Sequence, residues 1–326
     1  IVAGSGVTIT DDGNTNITIS SSGGAPGLVA GTGTDSMKSD DALTTVASVA
    51  AGARSIAIGD GAIANSDGSI AIGSVANVPP APRLDYISIG QDIFIAQNSI
   101  AIGKNANSQI DKGVVIGYDA FGSGDRSVVV GKDARSTGVE AVALGNFALA
   151  TSSGGIALGN TASSRAVNCI TIGNNAVVDD AVRVDTVVIG ANAKAAQYST
   201  AIGVGTQAVA DFCVAIGDNA RAQGSYSFTG GIDSVVTGNG AVALGNEALG
   251  NANGAVSIGQ RSESALLNAV ALGYQVTAQW ANATTVTQMA FENVANLNYI
   301  DQTAAIAGGV PTGGLYHTDG TVKIVY

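Results

Sequence analysis

Apolar and small residues alternate in short phrases that recur along most of the chain. The stretch from Ser55 to Gly73, SIAIGDGAIANSDGSIAIG, contains a Ser-Ile-Ala-Ile-Gly phrase twice. Within a phrase the larger apolar residues stand two positions apart, which is the spacing of a β-strand rather than of a helix. Polar and turn-forming residues separate the phrases, so the pattern predicts short strands joined by tight turns.

A glycine closes each phrase and sets the register of the repeat, which spans about residues 55–278. Eleven of the fifteen intervals between these glycines are 14 residues long, and the other four are two pairs of 17 and then 13. The closing glycines are Gly59, Gly73, Gly90, Gly103, Gly117, Gly131, Gly145, Gly159, Gly173, Gly190, Gly203, Gly217, Gly231, Gly245, Gly259 and Gly273. An internal repeat of this kind predicts a stack of identical structural units.

Fourteen residues are enough for two short strands and two turns, which make one coil of a narrow parallel β-solenoid. Coils stacked at roughly 4.8 Å would form a roll about 70 Å long. The glycine provides a turn conformation closed to other residues, or room where backbones crowd. Because so thin a roll buries little apolar surface, we expect it to associate with other chains through its face of small residues.

Composition and charge agree with a β-solenoid and exclude two classes of partner. The 326-residue chain has 45 glycines, 12% charged residues and 5% aromatic residues. It has no continuous apolar stretch near the roughly 20 residues that span a bilayer, so we expect no membrane insertion. The net charge of −11 argues against binding to nucleic acid. The chain begins at Ile1 rather than Met, which is consistent with missing or processed upstream sequence.

Four of the phrases are SIAIGDGAIA, SIAIGKNANS, AVALGNFALA and CVAIGDNARA. They resemble the head repeat of trimeric bacterial adhesins of the YadA-like type, and the likeness recurs in register over about two thirds of the chain. The resemblance implies an all-β, left-handed parallel β-roll whose three chains pack side by side about one axis. Periodicity by itself indicates only a solenoid; the homotrimer and the handedness come from the resemblance.

The segments that flank the repeat differ from those of a bacterial autotransporter, which has a heptad stalk and a membrane anchor of alternating apolar strands. The terminal LYHTDGTVKIVY predicts a hairpin around Asp319-Gly320. It is similar to the C-terminal ends of tailed-bacteriophage fibre and virion surface proteins. Near the start, VTIT and ITIS predict two strands joined across DDGNTN, which resemble short β-modules of such fibres.

These patterns divide the chain into four parts. Residues 1–27 form a β-hairpin module and linker, and residues 28–54 a transition segment. Residues 55–278 form the YadA-like roll. Residues 279–326 form a C-terminal capping and trimerisation segment with a terminal β-hairpin.

Aromatic residues occupy one column of the repeat in three successive coils. Tyr198, Phe212 and Tyr226 each stand five positions before a closing glycine, so their rings should stack along one edge. Such a ladder is either a platform for the sugar rings of a host surface or a structural stack that covers the corner. Tyr274 and Trp280, near the end of the roll, form a second candidate with the same two interpretations.

The two 17-residue intervals share an Arg-x-Asp sequence, with Arg83 and Asp85 in the first and Arg183 and Asp185 in the second. A 13-residue interval that contains Ala-Gln follows each one. Either the extra residues form a bulge that the next coil absorbs, or they form a protrusion that meets a partner or a neighbouring chain.

Catalytic and metal-binding motifs are not found in the sequence. The two cysteines, Cys169 and Cys213, stand three coils apart, about 14 Å on the coil spacing, so we expect free, buried thiols rather than a disulfide. His317 is the one histidine and has no nucleophile motif near it. A carboxylate pair on adjacent coils could in principle hydrolyse glycans, yet every solenoid brings turn residues together. We expect no enzymatic activity, no cofactor and no metal.

The combined interpretation is a non-enzymatic, homotrimeric virion fibre or spike protein of a tailed phage. It would project as a rigid shaft, bind other virion proteins of the tail or capsid, and help attachment to a host glycan or receptor. A capsid-anchored decoration or head fibre is a close alternative. The head domain of a bacterial trimeric autotransporter adhesin, on a bacterial cell surface, is the other.

Overall fold

The computed structural model describes residues 7–11, 17–21, 28–39, 46–80, 85–109, 111–178, 184–286, 302–308, 315–318 and 321–324. The chain divides into two compact units, Ile1–Thr285 and Val286–Tyr326. Within the described residues the only helix is Gln302–Ala307, and nearly everything else is strand or turn. The fold is an all-β parallel β-solenoid, as the repeat predicts.

Each coil contains a three-residue long strand, the closing glycine, a first turn, a two-residue short strand and a second turn. The long strands are Ile56–Ile58, Ile70–Ile72, Ile87–Ile89, Ile100–Ile102, Val114–Ile116, Val128–Val130, Val142–Leu144, Ile156–Leu158, Ile170–Ile172, Val187–Ile189, Thr200–Ile202, Val214–Ile216, Phe228–Gly230, Val242–Leu244, Val256–Ile258 and Val270–Leu272. The short strands are Val49–Ala50, Ile63–Ala64, Asn77–Val78, Phe94–Ile95, Asn107–Ser108, Phe121–Gly122, Arg135–Ser136, Leu149–Ala150, Ser163–Ser164, Val177–Val178, Lys194–Ala195, Gln207–Ala208, Arg221–Ala222, Val235–Val236, Leu249–Gly250 and Glu263–Ser264.

Strands of one kind pair in parallel with the same strand of the next coil, without any shift in register. Val142, for example, lies opposite Val128 of the coil before and Ile156 of the coil after. Backbone hydrogen bonds of the turns continue the same ladder, since Gly145 N–H donates to Val130 O and Gly159 N–H to Leu144 O. Equivalent residues of the repeat therefore form straight columns along the roll.

Small residues fill the interior of the coil, and the larger apolar residues point outward. The middle residue of each long strand, such as Ala57, Ala143 or Ala243, is 0% exposed. Its two neighbours, such as Val142 and Leu144, are partly exposed. The expectation that small residues form the association face is therefore wrong. The two strands of a coil lie close together, so the middle column holds residues no larger than valine and forms the core.

The closing glycine is required by backbone crowding between coils. Gly145 has φ +138°, a conformation that L-residues rarely adopt, and a Cβ on it would collide with the carbonyl oxygen of Gly159. The other closing glycines also have φ between +124° and +145°. Both of the functions predicted for the glycine, the unusual turn conformation and the room for backbone, are therefore present at one position.

The parallel pairing extends beyond residues 55–278 at both ends. Met37–Ser39 pairs in parallel with the first long strand and in antiparallel fashion with Leu28–Ala30. Ser36 is buried and its Oγ donates to Gly33 O, just as Ser55 Oγ donates to Gly52 O one coil later. At the other end, Val270 N–H donates to Ala283 O, next to the strand Thr284–Val286.

The extra residues of the two 17-residue intervals lie between a short strand and the next long strand. The long strands on either side stay in register, since Ile70 lies opposite Ile87 and Ile170 opposite Val187. The first of these coils also holds a large side chain in its interior. Tyr86, at the position where other coils carry Ser, Ala, Gly, Thr or Cys, is 1% exposed and is the largest fully buried side chain among the described residues.

The antiparallel strand pairs predicted near both ends of the chain are present, while the turn residues DDGNTN and Asp319-Gly320 lie outside or partly outside the described residues. Val7–Asp11 pairs with Ile17–Ser21, and Leu315–Thr318 pairs with Thr321–Ile324. The boundaries at residues 27, 54 and 278 remain predictions.

Candidate functional site

The three aromatic residues of the second turn form a continuous stack. The ring centroids of Tyr198 and Phe212 are 4.8 Å apart with an angle of 16° between the planes. Those of Phe212 and Tyr226 are 5.1 Å apart with an angle of 4°. The rings are 42%, 46% and 69% exposed in chain order, so the stack projects from the edge of the roll. The predicted stacking is confirmed, and ligand binding to it stays a prediction.

The stack belongs to a longer column, which we call the ladder column: the residues five positions before each closing glycine. From the coil of Gly173 onward its members are Asn168, Asp185, Tyr198, Phe212, Tyr226, Gly240, Gly254 and Asn268. Their φ angles lie between 49° and 65°, in the left-handed region. Asp185 therefore stands at one end of the stack and two glycines stand at the other.

Aromatic residues hold the left-handed conformation at a cost that asparagine and glycine largely avoid. A bulky L-residue there costs about 1–2 kcal/mol, whereas a stacked aromatic pair contributes about 0.5–1.5 kcal/mol. The stabilisation from two stacked pairs is smaller than the strain energy of three residues. Elsewhere in the column asparagines form amide ladders instead, as where Asn268 Nδ2 donates to Asn282 Oδ1 at 3.0 Å. Backbone stability alone therefore gives no reason for three aromatic residues here.

Tyr274 and Trp280, the second aromatic candidate, are 56% and 70% exposed. They belong to different turns of the coil, and the described residues show no ring contact between them. Tyr274 instead lies beside Arg261. A hydrogen bond to Glu247 is the main cause that raises the pKa of the Arg261 guanidinium, and Tyr274 adds a smaller contribution in the same direction. The structure does not bring these two rings together into one surface, and their binding role stays a prediction.

The two Arg-x-Asp loops are described in part. Arg83 and Arg183 lie outside the described residues, while Asp85 and Asp185 are exposed members of the ladder column. Asp185 Oδ1 accepts a hydrogen bond from Asn168 Nδ2 at 3.3 Å, which ties it to the preceding coil. The sequence presents the second loop and the aromatic stack as separate candidates. In the structure both lie on one edge of the roll. Partner contact by the loops stays a prediction.

A second exposed cluster on the first turn was missed by the sequence reasoning. Lys132 Nζ lies 5.9 Å from the ring centroid of Tyr118 and 5.0 Å from that of Phe147, between rings of the coils before and after. A hydrogen bond to Asp133 is the main cause that raises the pKa of Lys132. The signal was available, since Tyr118 and Lys132 each directly follow a closing glycine.

One whole outer face of the roll is apolar. We call it the apolar ridge: the first and last residue of each long strand, from Ile56–Ile58 to Val270–Leu272. Isoleucine, valine or leucine occupies every position except Thr200, Phe228 and Gly230, and none carries a charge. Where the phrase departs from its pattern, Phe228 fills the space that Gly230 leaves, since its ring lies 3.6 Å from where a Cβ on that glycine would be.

The opposite outer face, formed by the short strands, is mixed. It presents charged and polar residues such as Arg135, Lys194, Gln207 and Glu263 beside apolar ones. The face of the long strands is therefore the one that water solvates poorly, and the face of the short strands is the one that resembles an ordinary protein surface.

Thiols, metals and membranes offer no further site in the described part of the chain. Cys169 and Cys213 are free and buried, as predicted, and burial raises the pKa of both thiols. No group of three or more His, Cys, Asp or Glu residues is placed to hold a metal there. None of the described helices is long and apolar enough to cross a membrane.

The fold and its surfaces define a class of protein: a parallel β-solenoid of short coils with one apolar outer face and two edges of variable turns. The family model of the YadA head domain repeat matches residues 50–76, 95–120, 123–148, 136–162, 196–220 and 231–248. The chain thus contains YadA head repeats, as the resemblance of its phrases indicates. A search of curated proteins finds no match.

YadA head repeats belong to adhesin-like fibres and autotransporter heads, and YadA head domains form trimers. The fold is accordingly a structural and adhesive one, of the kind displayed on an exterior surface. The partners and the setting of this particular chain are matters for proposal.

Proposed function

We propose that this chain is the head of a non-enzymatic, homotrimeric virion fibre of a tailed phage, which projects as a rigid shaft and contacts the host surface with its turns. The apolar ridge is the observation that supports the formation of a trimer. The hairpins that flank the roll support the virion setting, with other virion proteins of the tail or capsid as anchoring partners.

The size of the apolar ridge supports association of the chain. A roll about 70 Å long with an exposed strand about 7 Å wide presents roughly 500 Å² of nearly continuous apolar surface. The largest apolar patch on a typical monomer is about 300–600 Å² and is often an interaction site, and this ridge reaches that size as one unbroken strip along the whole roll. Three copies arranged about one axis would bury all three ridges and leave the mixed faces and the turns in water.

The aromatic edge supports a role in host contact. Three strained, exposed rings in a column where asparagine serves the backbone better are expected where a ligand repays the strain. Aromatic rings bind the apolar faces of sugars, so a glycan of the host surface is the partner class that we propose. A trimer would carry three such edges, and weak contacts would add through multivalency.

The match to YadA head repeats favours a second candidate, the head of a bacterial trimeric autotransporter adhesin. Both candidates share the trimer and the adhesive surface. They differ in what the chain is attached to, which cryo-electron microscopy of intact virions would decide. Density for a thin trimeric shaft on the tail or the capsid supports the virion fibre, and its absence from virions together with a signal on bacterial cells overturns it.

A matched pair of leucines tests the trimer. Leu144 lies on the apolar ridge and Leu149 on the opposite face of the same region, and both are partly exposed. In a trimer packed through the ridge, Leu144→Asp places three carboxylates in an apolar interface and should yield monomers. Leu149→Asp should leave the trimer intact.

Sedimentation velocity or native mass spectrometry of the full chain gives the oligomeric state. Circular dichroism should show that both variants keep the strand content of the unchanged protein. A trimer that survives Leu144→Asp, or one that Leu149→Asp dissolves, would contradict packing through the ridge.

A further inference from the structure

The aromatic stack offers a ligand far less surface than its three rings suggest. In a stack of parallel rings, Phe212 has both faces covered, and Tyr198 and Tyr226 each have one face covered. Only the two outer faces remain for stacking with a ligand. The exposed fraction of Tyr226, 69% against 42% for Tyr198, indicates which of these outer faces is open.

Two consecutive glycines in the ladder column keep the outer face of Tyr226 open. Gly240 occupies the next coil, and a Cβ on it would have no heavy atom within 4 Å. At Gly254, one coil further, a Cβ would collide with Asn268 Oδ1, so the Asn268 amide leans over that glycine. The result is a notch with the Tyr226 ring as one wall, the Asn268 amide as the other and the Gly240 backbone as its floor.

We infer that this notch binds one neutral pyranose ring of a host glycan, stacked on the free face of Tyr226. This inference rests on the proposed function and narrows its contact surface from the whole aromatic edge to one end of it. Within that edge, Phe212 covers the inner face of the Tyr226 ring and Tyr198 stacks on Phe212 at the far end, and neither touches the sugar.

The notch is long enough to receive one sugar ring. Tyr226 and Asn268 stand three coils apart, about 14 Å on the coil spacing, and the Asn268 side chain reaches back over Gly254. A flat group between two walls needs about 7–8 Å, because carbon atoms pack at 3.5–4.0 Å. A pyranose can therefore stack on Tyr226 and direct its rim hydroxyls towards the Asn268 amide.

The chemistry of the walls also favours a sugar. The Tyr226 face is apolar and suits the C–H groups of a pyranose, while Asn268 Oδ1 is an acceptor for a hydroxyl. Asn239 lies beside the notch, and its Oδ1 accepts the N–H of Ser225 at 2.9 Å, which directs its Nδ2 donor to other groups. Amide and aromatic walls together recognise a ring that is apolar on one side and hydroxylated at its rim.

Charge favours a neutral sugar over an acidic one. The carbonyl oxygen of Asp211 accepts the Tyr226 N–H, so a carboxylate residue lies on the same edge. The chain as a whole carries a net charge of −11. An acidic saccharide would meet repulsion both locally and over the whole surface.

Gly240→Asn is the decisive variant, because asparagine tolerates the φ of +63° at this position and its side chain would fill the notch. Tyr226→Asn removes the stacking wall. Tyr198→Asn is the matched control, since it removes a ring from the far end of the stack and leaves the notch unchanged. All three place asparagine where other coils already carry it.

Saturation-transfer NMR on the full-length trimer measures binding, with methyl β-D-glucopyranoside, methyl β-D-galactopyranoside and methyl α-D-mannopyranoside as probes. We expect transfer from the unchanged protein and from Tyr198→Asn to at least one probe, and a loss of at least tenfold in affinity for Gly240→Asn and Tyr226→Asn. Transfer that persists in Gly240→Asn, or no transfer to any of the three probes, overturns the inference.

Adhesion of the same trimers to host cells separates this inference from the proposed function. If Gly240→Asn adheres as well as the unchanged protein, the notch does not bind the host sugar, and the trimer adheres through another surface. If the unchanged trimer adheres to no host cell, the proposed host contact itself fails.

Discussion

Buried serines of the short strands give a sharp test of how the narrow core is stabilised. Ser136 is 0% exposed and its Oγ has no hydrogen-bond partner. Ser264, in the same column, is equally buried, but its Oγ donates to Ala269 O at 2.8 Å. Ala150, one coil after Ser136, shows that alanine fits this column. We therefore expect Ser136→Ala to stabilise the protein and Ser264→Ala to destabilise it.

The expected size follows from the fate of each hydroxyl. A buried hydroxyl without a partner costs about 1–3 kcal/mol of desolvation, and replacing it by hydrogen leaves almost no cavity, so Ser136→Ala should gain about 1 kcal/mol. Ser264→Ala loses a hydrogen bond worth about 0.5–1.5 kcal/mol, and the Ala269 carbonyl keeps only the backbone bond that it accepts from Val256 N–H. The two variants should therefore differ by about 2 kcal/mol, a factor of roughly 30 in the unfolding equilibrium.

Urea unfolding followed by circular dichroism measures both free energies of unfolding. All proteins are compared at one chain concentration, because association shifts apparent stability. The dependence on urea should be the same in all three, which shows that the amount of exposed surface is unchanged. If Ser136→Ala destabilises the protein as much as Ser264→Ala does, the hydroxyl of Ser136 is satisfied after all, and the account of the interior is refuted.

Five further substitutions probe the turns and the coil that contains Tyr86. Gly145→Ala should lower the free energy of unfolding by about 3 kcal/mol, because it combines backbone strain with a collision against the backbone of the next coil. In Gly154→Ala the new Cβ collides only with the Asn168 side chain, so the loss in the same urea assay should be about 1 kcal/mol. Tyr86→Ala should cost about 3–5 kcal/mol through the cavity it leaves, whereas Tyr86→Phe keeps the buried ring and should cost far less. Arg261 lowers the pKa of Glu247. The ion pair therefore stabilises the protein above the pKa that this glutamate has in the unfolded chain, and the stabilisation is lost as the pH falls through its folded-state pKa. The loss of unfolding free energy in Glu247→Gln at pH 7 should vanish at acid pH, and a loss that stays constant with pH would contradict this account.

The period of the sequence was sufficient to predict the coil, its parallel pairing and the columns. It was not sufficient to say which side of the long strand faces inward, because alternation defines two faces and leaves both possible. The deciding signal was in the short strands, where the residue that turns inward is again small, as in Ala64 and Ala150. Two inner columns that must both be small indicate a core between them.

Other features depend on the space inside a coil and on side-chain positions, which the sequence pattern does not give. Tyr86 stands in a column of small residues, in one of the two coils that have 17 residues. The aromatic stack could be predicted, since register alone places Tyr198, Phe212 and Tyr226 in one column. Which of its ring faces stays open could not, because this depends on where the Asn268 side chain leans.

The left-handed residues of the turns have one more consequence. Their φ angles stay between 49° and 61° whether the residue is Asp185, Lys112 or an aromatic one. The stacking of whole coils, and not the identity of the side chain, holds that geometry. Single residues in the turns on either edge can therefore be exchanged during evolution while the backbone keeps its conformation. Such exchanges change what the surface recognises without changing the fold.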